Sequence, residues 1–339
     1  MSDTTLGLFF LLVAGIMNAS FTLPMKFTRT WAWENTWLAW SIFALILLPP
    51  IVTWLTVPQL TQVYHDAGTG PTVLAATFGL GWGIAQVFFG LAVESIGIAL
   101  TFSIVLGISA AVGSLLPLLR LHSSQLFTPA GGGVIAGVVL VIIGVSICAV
   151  AGRRREAVRG AVAGQANSAT SKGLLLAILC GFGASFVNFG LTFGQPLLVS
   201  ALKFGAKSVW APNAAWLPLM LAGSIPNILY CVYLLSKNKT HRKYSSPSFA
   251  GHTLLALLMA LFWFGSTVLY GVSAGKLGEL GPVLGWPLFM SLIVITASAL
   301  GILTGEWKNT GKQPLRIQLA GVSFLVAAVF VLALASRWV

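Results

Sequence analysis

The chain has 339 residues, of which 57% are hydrophobic and only 8% charged, with a net charge of +12. A soluble domain carries about a quarter charged residues, so this composition excludes a water-soluble globular protein. Nor does the positive charge point to nucleic acid, because the Lys and Arg residues fall between apolar blocks, where topology signals sit.

Each apolar block is about 20 residues long, enough to cross a hydrocarbon core at about 1.5 Å per residue. Ten spans are expected, at about 5–24, 35–57, 73–93, 97–119, 129–151, 172–195, 212–236, 250–273, 283–303 and 315–335. The opening MSDTTLGL has an acid and no base, unlike the basic start of a cleaved signal peptide. The longest internal polar break, 152–171, is rich in Arg, Gly, Ala and Ser and reads as a solvated linker. It separates a first unit, 1–151, from a second, 172–339, with five spans in each.

A repeated motif relates the two units. Residues 81–97 read GWGIAQVFFGLAVESIG and residues 262–278 read FWFGSTVLYGVSAGKLG, which aligns Trp82 with Trp263, Phe89 with Tyr270, Gly90 with Gly271 and Gly97 with Gly278. An odd number of spans per unit forces the copies into opposite orientations, so the expected fold class is an all-α integral membrane protein of ten transmembrane helices in two inverted five-helix repeats. Ala136-Gly137-Val138 and Ala320-Gly321-Val322 pair spans 5 and 10 in the same sense. Loops after odd-numbered spans, with their flanks, hold 14 of the 19 Lys and Arg residues. Those loops are expected in the cytoplasm, with both termini periplasmic in a bacterial inner membrane.

Chemistry-bearing residues are few. Seven acids occur, none plainly at a span centre. Glu94, on the last turn of a repeat helix, is the first candidate for proton coupling; Glu34 is the second. Interfacial carboxylates facing water are the plain alternative for both. Asn18, Gln86 and Asn188 lie deeper. Uncharged amides offer donors and acceptors without a buried charge, which suits a neutral polyhydroxyl ligand, although they equally serve as hydrogen-bonding contacts between helices. Trp82, Phe89, Trp263 and Tyr270 could pack on the C–H faces of a sugar. The tryptophans at 31, 33, 37 and 40 read as an interfacial belt. Gly79, Gly81 and Gly83 read as packing glycines rather than a phosphate loop. No nucleotide motif, metal-ligand spacing or cofactor motif is present, and no enzyme activity is expected.

The segment GIMNASFTLPMKFTRTWAWENTW, in Phe21, Pro24, Lys26, Trp31, Trp33 and Glu34, resembles the start of the bacterial L-rhamnose–proton symporters. GWGIAQVFFGLAVESIG and GEWKNTGKQP are similar to that family's segments as well, the latter in Glu306-Trp307, Asn309, Gly311 and Pro314. Departures fall at Gln86, Glu94 and Gln195. The resemblance implies membership of the drug/metabolite transporter superfamily, ten helices in two inverted halves, and import of a neutral sugar, most simply L-rhamnose, by proton symport through alternating access. Residue type, depth and the repeated motif make Asn18, Phe21, Trp82, Gln86, Phe89, Asn188, Trp263 and Tyr270 the candidate sugar-binding residues. The implied partners are a small neutral sugar, a proton and the bilayer, without nucleic acid; a homodimer is compatible. An exporter of drug-like or metabolite compounds on the same fold, and a symporter of another sugar, remain alternatives.

Overall fold

A computed structural model describes residues 2–158, 160 and 171–338. Among these residues the chain is helical throughout, and ten helical segments are long and apolar enough to cross a membrane. They are span 1 (Asp3–Phe27), span 2 (Trp33–Thr56), span 3 (Thr69–Ile96), span 4 (Ile98–Leu121), span 5 (Pro129–Val158), span 6 (Ser171–Lys203), span 7 (Asn213–Lys237), span 8 (Phe249–Lys276), span 9 (Gly281–Leu303) and span 10 (Lys312–Ala335). A short helix, Leu60–Ala67, joins spans 2 and 3. The ten expected spans are all present. Two boundaries change by about two turns: span 5 continues past 151 to Val158, so residues 152–158 are helix rather than linker, and span 6 continues past 195 to Lys203. The rest of the expected linker, 161–170, lies outside the described residues.

Local sequence explains the irregularities. Span 2 widens into a π-helix at Ile42–Leu47, immediately before a segment carrying Pro49 and Pro50. Proline has no N–H to donate, and its ring crowds the carbonyl four residues back; a wider turn relieves both. Span 6 is broken at Ser185 and Gly194, with Pro196 at the start of its last piece. Gly97 joins spans 3 and 4 through a single residue at φ +81°, a left-handed conformation that strains any residue with a side chain.

Small residues set the closest approaches, as expected where apolar lipid gives helices no hydrophobic reason to associate. A Cβ on Gly83 of span 3 would stand 2.4 Å from the carbonyl oxygen of Gly223 in span 7, which bears out the packing role expected of that glycine cluster. Span 5 packs on span 10, 3 on 7, 2 on 8, 1 on 8, 3 on 6, 1 on 9, 4 on 6, 4 on 5, 9 on 10, and 4 on 9. Contacts recur in pairs. A Cβ on Gly7 would meet Lys276 and Leu277, and one on Gly173 would meet Ser95 and Ile96. One on Gly15 would meet Leu292, and one on Gly181 would meet Ile108. One on Gly137 would meet Leu332, and one on Gly321 would meet Cys148.

The two copies of the repeated hairpin differ in burial. In the second, every residue from Leu280 to Ser291 is buried, with Tyr270–Ala274 before them. In the first, residues 86–91 are all partly exposed, and Ile98 and Phe102 are exposed.

Candidate functional site

The centre of the molecule is aromatic. Trp82 and Trp263, midway along spans 3 and 8, stack with ring centroids 5.3 Å apart. Trp40 stands edge-on to Trp263 at 5.2 Å, and Phe21 and Trp37 close on Trp40 at 5.8 and 4.5 Å. Spans 1, 2, 3 and 8 thus each contribute a ring. Trp40 is only 1% exposed, which corrects its expected place in an interfacial belt: it is a core residue of the cluster. Its spacing of three from Trp37 puts both on one helix face, a signal available in the sequence.

Polar groups border the rings. Asn18 Nδ2 donates to Ser266 Oγ at 2.9 Å, and Trp37 Nε1 donates to Asn227 Oδ1 at 3.3 Å. Gln86 lies one turn beyond Trp82 and is partly exposed. Phe89 packs edge-on against Phe102 at 5.0 Å, on the open hairpin.

Asn188 and Tyr270 lie elsewhere. Asn188 Nδ2 donates to the carbonyls of Gly113 and Pro282 at 2.8 and 3.1 Å, and its Oδ1 accepts from the Tyr270 hydroxyl. Tyr270 also stacks on Phe289 and meets Trp286 edge-on. These residues form a sealed layer between the central rings and the face bearing the N-terminus. The Asn188 amide, the Tyr270 hydroxyl and the Trp286 indole N–H in this buried layer all have protein partners.

Two cavities flank this arrangement. One, of about 480 Å³, opens towards the N-terminal face beside Gln195, Pro212, Gly271 and Lys276. The other, of about 360 Å³, lies towards the opposite face between spans 1, 4, 5 and 9, with Thr22, Ile98, Phe102, Ser298 and Gln318 in its walls. An ion cluster lines that second cavity. Glu306 binds Lys26 and Arg155, each at 3.0 Å, and Arg155 lies 5.1 Å from the Trp307 ring. Partial burial pushes the Glu306 carboxyl up, but Lys26 and Arg155 outweigh it and hold it below the usual value. Sequence reading noticed Glu306 only in passing, since nothing in one dimension shows three loop and end residues converging.

The coupling candidates occupy different surroundings. Glu94 is exposed near the end of span 3. Glu34 is buried and accepts from Asn238 Nδ2 at 3.0 Å and Thr240 Oγ1 at 2.6 Å, tying span 2 to the connection between spans 7 and 8.

Ten apolar helices around an aromatic centre, with a cavity towards each face, define a polytopic membrane protein. The model of the L-rhamnose-proton symport protein (RhaT) family matches residues 1–336, and the chain belongs to that family. It is 27% identical over 336 residues to an L-rhamnose-proton symporter of Pectobacterium carotovorum subsp. carotovorum, covering 97% of each chain. Symporters of the same description from Mannheimia succiniciproducens and Yersinia pestis are 28% identical over the same share of both chains.

Proposed function

We propose that this protein imports L-rhamnose together with protons by alternating access in a bacterial cytoplasmic membrane, with both termini periplasmic. The observation that carries the reading is the family match along residues 1–336. The helix packing supports two inverted halves. Exchanging each span with the one five places on turns the contact of span 1 with 8 into that of 6 with 3, and 3 with 7 into 8 with 2. Single residues obey the same rule. The shift that carries Gly137 to Gly321 carries Cys148 to Leu332 and Ile108 to Leu292, and these are the contacts that recur.

The unequal burial of the two hairpins supports alternating access. One shift carries Gly7 to Gly173, Gly15 to Gly181 and Thr22 to Asn188; the other carries Ile98 to Pro282. Asn188 and Pro282 are hydrogen-bonded in the sealed layer, whereas Thr22 and Ile98 line the cavity on the opposite face. The present conformation is then closed to the periplasm and open to the cytoplasm. Transport exchanges the two conditions, each hairpin adopting the other's environment.

The sugar lies at the midplane. Trp82 and Trp263, stacked on each other in this form, separate to take its C–H faces, and Asn18, Gln86 and Phe21 border it. Phe89 belongs to the inner hairpin, and Asn188 and Tyr270 to the outer one, so these three meet sugar as their gate opens. Every group invoked lies in one chain, so no second copy is required. Glu94 is the proposed coupling carboxyl: it is exposed in this form, and closure of its hairpin would bury it. Glu34 is the second candidate.

The test is uptake into proteoliposomes. L-rhamnose should accumulate under an inward proton gradient and stop accumulating when the gradient is collapsed. Accumulation of a different sugar alone, or proton-driven movement of drug-like compounds, would overturn the substrate or the direction respectively.

A further inference from the structure

Among the described residues, six buried side-chain polar atoms have no hydrogen-bond partner, and two of them, Trp40 Nε1 and Ser41 Oγ, are neighbours on span 2. At this depth an unpaired donor is expensive, on the order of 1–3 kcal/mol, and lipid offers it nothing in exchange. The Trp31 indole N–H is also unpaired, but that ring packs with Tyr244, Phe249 and His252 near the cytoplasmic connections. That of Trp216 lies beyond the seal, beside Gly271. Trp40 alone combines an unpaired indole N–H with membership of the central ring cluster, where it touches Phe21, Trp37 and Trp263.

A second feature marks the same place. The π-helix begins at Ile42, directly after Trp40 and Ser41. Single π turns recur at functional sites because the wider turn redirects the side chains around it. Here the following prolines account for the widening, which starts at the residue after Ser41. The neighbouring indole of Trp37 is already committed to Asn227. The cluster therefore holds rings that can take the apolar face of a sugar and a donor that no protein atom uses.

We propose that Trp40 is a specificity residue of the transport site, whose indole N–H donates a hydrogen bond to one hydroxyl of the bound sugar. This rests on the reading of the chain as a rhamnose transporter. It adds that Trp40 distinguishes the correct pyranose from sugars that lack a hydroxyl at that position or present it in the other configuration. A site built to bond a hydroxyl rejects analogues without it, because its own donor is then left buried and unpaired.

The test is a cycle between protein and ligand. Binding of L-rhamnose and of each of its monodeoxy analogues is measured on the full-length protein and on Trp40→Phe, which keeps a ring and removes the N–H. For L-rhamnose, Trp40→Phe should bind roughly three- to tenfold more weakly, the worth of one neutral hydrogen bond. For one monodeoxy analogue the two proteins should bind equally. An equal loss for all analogues would show that Trp40 only packs, and no loss for any would show that its N–H faces no ligand; either overturns the proposal. If Trp40→Phe fails to fold, the indole N–H resonance of Trp40 in the wild-type protein decides: it should move on adding L-rhamnose and stay in place with the discriminating analogue, and a resonance indifferent to L-rhamnose overturns the proposal. Wild-type protein that binds no L-rhamnose at all would instead refute the transport reading itself.

Discussion

The indole of Trp82 lies on that of Trp263, with ring centroids 5.3 Å apart and 22° between the planes. The two residues occupy the same position in the two copies of the repeated motif. Residues exchanged by a twofold axis can touch each other only at that axis, and an axis relating inverted halves runs in the membrane plane. On the proposed arrangement of two inverted halves, the stack marks the level at which neither face of the membrane is nearer, which is the level proposed for the sugar.

Trp82→Phe and Trp263→Phe should each weaken L-rhamnose binding at least tenfold while leaving folded protein in the membrane. Phenylalanine avoids the large cavity of an alanine substitution, which costs about 3–5 kcal/mol for a buried tryptophan. The stabilisation of each variant by saturating L-rhamnose in a thermal melt is the measurement. Full stabilisation in both variants would move the site away from the stack.

Glu94→Gln should retain exchange of labelled for unlabelled L-rhamnose and lose uphill accumulation, since glutamine imitates the protonated carboxyl and cannot cycle. Both rates are read in proteoliposomes. Normal accumulation by this variant would remove Glu94 from the mechanism. For Glu34 the expected effect includes stability: Glu34→Ala leaves Asn238 and Thr240 without their acceptor, and bonds to a charged group are worth about 1.5–3 kcal/mol.

On the proposed alternating-access cycle, the inner gate closes as the outer one opens. In Thr22→Cys/Ile98→Cys protein, oxidative cross-linking is expected to be slow in the form described here and faster when conditions favour the outward-open form. The cross-linked transporter should be inactive and recover on reduction. Wild-type transport by fully cross-linked protein would refute the gate assignment.

Glu306 should make stability depend on pH. Its carboxyl is held below the ordinary value by Lys26 and Arg155 despite partial burial. A depressed carboxyl stabilises the fold above its unfolded value, about 4.3, and the contribution disappears as pH falls through the lower folded value. Wild-type melting temperature should therefore fall over that acidic window more steeply than that of Glu306→Gln. Identical pH profiles would show that the cluster adds nothing. Since Lys26 is half-exposed, high salt should shrink the difference.

Topology can be checked directly. With 14 cations against five, reporters fused to the C-terminus should be active when they require the periplasm and silent when they require the cytoplasm. The reverse pattern would invert every assignment of face made above.

The sequence alone determined the membrane class, the ten spans and the pairing of Trp82 with Trp263. These are one-dimensional properties: the length of an apolar run against the thickness of a bilayer, and the recurrence of residues at a fixed shift. It also raised Trp82 and Trp263 as candidates, because aromatic rings far inside a span have no interface to reach. What only the tertiary structure decided was which of many plausible polar and aromatic residues share a space. Asn18 and Asn188 look alike in the chain, yet one borders the central rings and the other is consumed by Gly113, Pro282 and Tyr270. Trp40 looks like its belt neighbours and is a core residue. Lys26, Arg155 and Glu306 are scattered along the chain and meet at one cavity. The physical reason is that hydrophobicity fixes only how deep a residue lies, whereas its azimuth around the helix and the packing of neighbouring helices decide what it faces.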